Sequence, residues 1–337
     1  MATLAATNPT LLDLATRTDP NGQIAAIAEI LNETNEILDD MTWVEGNLAT
    51  GHQSTVRTGL PAPTWRKMYG GVQPTKSTTA KVVDTCGMLE AYAEVDKALA
   101  KLNDNTAAFR LSEARPHIEG MNQELVETLI FGNENTEPEA FTGLSPRFND
   151  LSAENADNII DGGGTGTDNA SIWLVVWGPN TIHGIVPKGS KGGLEVEDLG
   201  EVTIENVDGN DGRMQGYRTH FKWDTGLTVP DWRYVVRICN IDKSLLSLVY
   251  TSGAFSSGAH LPNLMFQALE LPPSLTSGRP VFYMSRTVRT KLRQQLAAAV
   301  QNSTLQVENV GGRRTVHFDE IPIRRCDALS ADEARVT

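Results

Sequence analysis

Histidines, cysteines, one serine-rich turn and one glycine-rich turn are the places where this chain could do covalent, metal or phosphate chemistry. His52, His117, His183, His220, His260 and His317 are scattered, and none lies in an HExxH or comparable ligand pair, so structural or surface roles are expected. Ser256, Ser257 and His260 share GAFSSGAH, where a hydroxyl and an imidazole could act as nucleophile and base. No GxSxG elbow frames them, and the stretch reads as a turn. A small-molecule hydrolase using His183 or His260 is the alternative from another functional class. Cys86, Cys239 and Cys326 are odd in number and far apart, which suits three buried reduced thiols rather than a disulfide framework or a zinc site. The stretch DGGGTGTDN, from Asp161, could lay backbone amides round a phosphate. It lacks the P-loop Lys-Ser/Thr and EF-hand spacing, and it runs into a strand-like segment, so a surface loop is expected. Glu134, Glu137 and Glu139 flank Pro138 and read as a solvated loop. The expectation is a protein with no catalytic residue, no metal and no cofactor.

The elements that would position such groups alternate in type. Asp19-Pro20 reads as an N-cap and first helical residue before IAAIAEILNETNEILDDM, where Ile24, Ile27, Ile30 or Leu31, Ile37 and Leu38 approximate one face. In GMLEAYAEVDKALAKL, residues Met88, Tyr92, Val95, Leu99 and Leu102 recur at spacings of four and three, which predicts a helix. Another helix should run towards Gly132, with Ile118, Met121, Leu125 and Leu129 on one face. Pro116 must kink it or sit in the first turn of a shorter one, since an interior proline costs about 3 kcal/mol. Beyond Pro138, SIWLVVWG, TIHGIVP, EVTIEN, YRTHFKW and WRYVVRI read as strands. RPVFYMS is a further strand, ending at Ser285 as cap of the helix RTVRTKLRQQLAAAV, and LQVENV, TVHFDE and IPIRRCDAL close the chain as β structure. The expected class is α+β.

The chain has 337 residues, enough for about two domains, and a formal net charge of -13. No apolar run reaches the ~18 residues of a membrane span, and MATLAATNPTLLDLATRTDP lacks a basic start followed by an apolar stretch, so a cytoplasmic protein is expected. The acidic balance excludes a protein whose whole surface binds nucleic acid, though not a container that must avoid sticking to its contents. Arg286, Arg289, Lys291 and Arg293 fall in one predicted helix, and Arg313-Arg314 and Arg324-Arg325 in the last β region. Solvated faces or ion pairs are the expected roles of these clusters.

The least enzyme-like stretch is GLPAPTWRKMYGGVQPTKSTTA, Gly59 to Ala80. It sets Trp65 and Tyr69 among prolines, glycines, threonines and lysines, with no helical or buried-strand period. Its flanks TVRTG and TTAKVV read as strands, which predicts a long two-stranded arm with limbs of about fourteen residues, reaching ~45 Å. Such an arm is marginal alone. Packed across a neighbouring subunit, Trp65, Met68 and Tyr69, with Arg57, Arg66 and Lys67 beside them, would make it a tether.

The order of these parts resembles a known family. NPTLLDLATRTDPNG, NEILDDMTWVEGN, GHQSTVRTGLPAPTWRK, GVQPTKSTTAKV, NTAAFRLSEA, SIWLVVWGPNTIHGIVPKGSKGGL, DWRYVVRICNID and PVFYMSRTVRTKL are similar to the major capsid proteins of tailed bacteriophages, in particular the epsilon-fifteen-like short-tailed group. The resemblance implies the Hong Kong ninety-seven type of capsid fold. It assigns 1–46 to an N-terminal arm and helix, 47–86 to an extended loop, and 87–139 to a peripheral domain with its spine helix between Thr106 and Phe131. It assigns 140–301 to an axial domain and 302–337 to a return to the peripheral domain. It implies a non-enzymatic subunit forming pentamers and hexamers of an icosahedral shell, assembled in the host cytoplasm. Separate scaffolding and portal proteins, room for a decoration protein, and double-stranded DNA contacted non-specifically are the implied partners, with no membrane. An encapsulin-like compartment is the alternative within the same fold.

Overall fold

The structure, a computed structural model, describes residues 33, 35–101, 106–190, 192–205, 212–246, 250–251, 254–255, 258–298, 305–310, 313–330 and 332–337. Among these the helices are α1 (Ile37–Asp40), α2 (Lys97–Lys101), α3 (Thr106–Phe131), α4 (Leu261–Glu270) and α5 (Arg286–Ala298). The first strands are β1 (Trp43–Glu45), β2 (Gly51–Gly59), β3 (Thr78–Asp96), β4 (Ile159–Asp161), β5 (Asn169–Trp177), β6 (His183–Val186), β7 (Glu195–Glu205) and β8 (Arg213–Thr228). β9 (Val235–Asp242), β10 (Tyr250–Thr251), β11 (Ala254–Phe255), β12 (Arg279–Met284), β13 (Leu305–Val310), β14 (Arg313–Phe318) and β15 (Ile321–Arg325) follow. They form two compact units, one holding Met88–Leu125 and Lys191–Asp224, the other Thr34–Gly87, Val126–Ser190 and Thr225–Thr337.

The second unit is organised by a seven-stranded sheet of order β13-β14-β15-β12-β5-β9-β4. Every residue of β5 is buried, as is every residue of β9, so both sheet faces need cover. On one face Ala170, Ile172 and Leu174 join Val236, Ile238, Phe282 and Met284, with Leu261 and Met265 of α4 and Val288 and Leu292 of α5 packed over them. Ser285 caps α5 as predicted, accepting the Val288 N–H. On the other face Trp177 donates to Tyr283 Oη at 2.8 Å, and Tyr283 donates to Asp40 of α1 at 3.2 Å. Burial pushes the Asp40 carboxyl up, opposed chiefly by the Arg324 charge.

Beside that chain the residues 333–336 close over the sheet. Glu333 accepts from Ser171 N–H and Oγ–H at 3.0 and 2.6 Å and from the Arg237 guanidinium at 2.6 Å. Arg237 lies 5.1 Å above the Trp173 ring and donates to Phe148 O. Asn240, at φ 54°, brackets Val336 by accepting its N–H at 2.8 Å and donating to its carbonyl at 2.9 Å. The side chain thus imitates one rung of a strand.

In the first unit β7 pairs antiparallel with β8, from Glu195 opposite Lys222 to Glu205 opposite Arg213. Here the predicted helix from Met88 is corrected: β3 continues to Asp96, and only Lys97–Lys101 is helical. Leu89, Ala91, Ala93 and Val95 turn inward while Met88, Glu90, Tyr92 and Glu94 are more exposed. A period of two was present all along, masked by larger residues at spacings of four and three. The helix predicted after Asp19 lies mostly outside the described residues, which include α1 at its end. α3 runs unbroken through Pro116. Its buried face includes Phe109, Met121, Leu125 and Leu129, whereas Ile118 is exposed, so the predicted face holds except at that residue. The helix stops before Gly132, where a side chain would meet Thr128 O at 2.5 Å and Phe141 O at 2.7 Å. Cys239 and Cys326 are buried but Cys86 only half-buried, which corrects the expectation of three buried thiols. Burial pushes the Cys239 thiol up to about 11.

The Arg237–Glu333 pair is the most exposed to mutation, because both charges are out of water. Glu333→Ala should destabilise the chain by about 3 kcal/mol or more by stranding the Arg237 charge. Urea unfolding measures this, and an unchanged midpoint contradicts it; Arg237→Met with Glu333→Leu should recover most of the loss.

Candidate inter-subunit interface

β2 and β3 form the predicted arm. Their ladder runs from Gly51 opposite Thr85 to Gly59 opposite Thr78, with an irregularity between Arg57 and Gly59. The paired limbs are therefore shorter than expected, nine residues on the β2 side, or roughly 30 Å. Residues 60–77 form an irregular loop beyond the ladder, tied by Thr75 Oγ1 to Ala62 O at 3.4 Å. A turn closes from Gly70 N–H to Lys67 O at 3.0 Å, with Tyr69 at φ 59°. A left-handed tyrosine is strained, and its ring points into water rather than into a core.

Arg57 is exposed on β2 beside the ladder irregularity, and Trp65, Arg66, Lys67, Met68 and Tyr69 all lie in the loop. The turn brings Lys67, Met68 and Tyr69 to one place; Arg57 belongs to the limb, apart from them in sequence and element. Relative exposures are 100% for Trp65, 89% for Met68 and 102% for Tyr69. Leu60 and Val72 are exposed as well. Large apolar side chains gathered in this way are uncommon on the surface of a lone soluble chain. Between Glu45 and Asp84 the chain holds Arg57, Arg66, Lys67, Lys76 and Lys81 and no carboxylate, so the arm is a cationic limb on an acidic chain.

A buried polar cluster holds the root of the arm. Asp84 of β3 accepts from Thr228 Oγ1 of β8 and pairs with Arg147 at 2.8 Å. Arg147 also donates to Gly143 O and Thr142 O. His52 of β2 lies edge-on to His183 of β6, ring centroids 5.8 Å apart. His183 is 2% exposed, and neither ring nitrogen makes a well-formed hydrogen bond. Burial first, and His52 second, pull its pKa down to about 4, against small favourable effects of the Gly178 backbone and Asp84. Gly226 fits because any side chain there would meet Thr85 O at 2.5 Å. Sequence reasoning missed these residues, since they come from separate segments that no period relates.

The candidate chemistry of the sequence does not assemble. His260 accepts the Asn263 N–H and caps α4, and Ser256 and Ser257 lie outside the described residues. Among the described residues no three His, Cys, Asp or Glu side chains form a metal-binding group. Gly162 and Gly164 donate to Cys239 O and Asn240 O, which zips the glycine-rich loop to β9 and spends those amides. Glu134, Glu137 and Glu139 are exposed.

Residues 19–337 match the family model for major capsid protein GP7. The chain belongs to that family. It is 38% identical to a chain from the near-atomic cryo-EM structure of bacteriophage Epsilon15, with all of both chains covered and a TM-score of 0.78. The bacteriophage JBD30 capsid matches at 11% identity over 89% of this chain and 93% of that one, with a TM-score of 0.48. The SrpI encapsulin of Synechococcus elongatus PCC 7942 matches at 12% identity over 69% of this chain and 97% of that one, with a TM-score of 0.43. Those two add nothing to the assignment. No curated protein matches the chain. The protein is a structural capsid subunit of a bacteriophage virion, α+β and of the Hong Kong ninety-seven type, in a family of capsid proteins rather than enzymes.

For the capsid protein the root cluster predicts acid sensitivity. His183 has a folded pKa of about 4 against an unfolded value of about 6.5, so between these the unfolded chain binds a proton that the folded chain refuses. Its contribution is constant above the upper value and is lost as pH falls through the window, amounting to about 3 kcal/mol. His183→Gln should flatten the fall in urea midpoint between pH 7 and pH 4.5; a variant with the wild-type slope would show that His183 does not set it.

Proposed function

We propose that this capsid protein assembles into pentamers and hexamers of an icosahedral shell that packages double-stranded DNA, and that the β2–β3 arm ties neighbouring copies together. The exposed tip carries the reading: Trp65, Met68 and Tyr69 sit in water within a cationic loop, and a second copy that covers them gains apolar burial. Open arms reach area on several neighbours that compact domains cannot. The proposed division is 1–46 arm and helix, 47–86 extended loop, 87–139 peripheral domain with spine helix, 140–301 axial domain and 302–337 peripheral return. Separate scaffolding and portal proteins complete assembly in the host cytoplasm, and a decoration protein has the outer surface available. Electron microscopy of the purified protein should show rings or closed particles, and particles assembled together with the scaffolding and portal proteins should hold DNA that nuclease does not reach; protected protein cargo without DNA would make it a compartment instead.

Replacing Leu60–Ser77 by Asn-Gly gives the ladder a two-residue turn. The folded subunit should persist, because residues 60–69 and 71–76 are exposed, while shells should be lost. Each anchor is expected to contribute about 2 kcal/mol per contact, and the loss repeats across the lattice. Trp65→Ala with Tyr69→Ala should give shells that fall apart on dilution. Circular dichroism and light scattering on the same samples check this: robust shells from the loop replacement would rule out the tether, and lost secondary structure would place the loop in the core.

A further inference from the structure

Two basic clusters far apart in sequence meet in the second unit. α5 carries Arg286, Arg289 and Arg293 at spacings of three and four, hence on one face. β15 ends at Arg324 and Arg325, opposite Tyr283 and Met284 of β12, and β12 begins at Arg279. Among the described residues three carboxylates, Glu36, Asp40 and Asp327, pair with four of these six arginines. Arg324 takes Glu36 at 3.1 Å and Asp40 at 3.2 Å, and Arg279 lies 3.8 Å from Asp40. Arg286 donates twice to Asp327, at 2.8 and 2.5 Å, with Arg325 3.7 Å from the same carboxylate. Among the described residues Arg289 and Arg293 have no ion pair.

Arg289 is half-buried, and its Nε–H, out of water, has no acceptor. Burial and then Arg293, Arg325 and Arg324 disfavour its charge, with Glu36 opposing. Two guanidinium groups without a carboxylate, beside four others, suit an anion with several oxygens, and the sealed Nε–H leaves Arg289 only its terminal N–H groups to offer it. On a chain of net charge -13, nucleic acid can be met only where cations are concentrated.

We propose that Arg289 and Arg293 hold phosphate oxygens of the packaged double-stranded DNA, so that this edge of α5 faces the shell interior. The inference rests on the packaging reading above and assigns it a surface. Contact is with the backbone and is indifferent to base sequence.

The test uses full-length chain before assembly, titrated with duplex DNA of arbitrary sequence over a series of salt concentrations. The slope of log affinity against log salt should fall by about 2 in Arg289→Gln with Arg293→Gln, because each phosphate contact contributes about 0.9. Arg115→Gln with Arg213→Gln removes the same net charge elsewhere and should leave the slope unchanged. Arg289→Lys with Arg293→Lys should keep the slope with weaker binding. Shells of the glutamine variant should form and protect less DNA from nuclease. A wild-type slope in the glutamine variant overturns the proposal, as does an equal fall in the control. Failure of that variant to form shells, at wild-type slope, would make the patch a contact between copies and overturn it too. Wild-type particles assembled with the scaffolding and portal proteins but holding no protected DNA would sink the packaging reading itself, whatever the variants do.

Discussion

Strand β5 has no side facing water, and the second unit is arranged round that constraint. Nine residues from Asn169 to Trp177 are all buried, so apolar cover is needed above and below and each polar group needs a partner inside. One face is met by apolar side chains of α4 and α5. The other has Ser171, Trp173 and Trp177, which is why it collects Arg237, Glu333, Tyr283 and Asp40. Residues 333–336 and α1 are thereby held to the same strand from remote parts of the chain.

How much of this was legible depended on the range of the signal. SIWLVVWG and the VVRI of WRYVVRI are rich in β-branched and aromatic residues and are strands as expected, whereas Trp232–Tyr234 form a 3-10 turn ahead of the second. Thr106–Phe131 was bounded correctly, with Gly132 after its end, and Pro116 proved tolerable within it. Met88 to Asp96 misled because Ala91 and Ala93 are small inward residues of a strand, and alanine suggests helix. The tip of the arm was readable because Trp65 and Tyr69 stand in a segment that cannot bury them. Its root was not, since His52, Asp84, Arg147, His183 and Thr228 meet only through a fold that no local pattern encodes.

Charge is segregated along the chain as well as in space. The arm between Glu45 and Asp84 holds cations only, while from Gly192 to Gly212 there are seven carboxylates and no lysine or arginine. Within the first unit three of these acids are already matched, Asp198 by Arg110, Glu201 by Lys97 and Glu205 by Arg213. No comparable matching is possible inside the arm, which has no acid of its own. A limb of one sign repels its own kind, so free arms discourage one another from pairing tip to tip.

The exposed indole of Trp65 has an optical consequence. Of the six tryptophans, Trp173 and Trp177 are sealed in the core while Trp65 is wholly hydrated. Indole emission moves to longer wavelength in water and to shorter wavelength in an apolar setting. A neighbour that covers the arm would shift one fluorophore and leave the sealed pair as an internal standard. Under the proposed tether the wild-type sequence would carry its own spectral gauge of lattice closure, needing no dye and no added label.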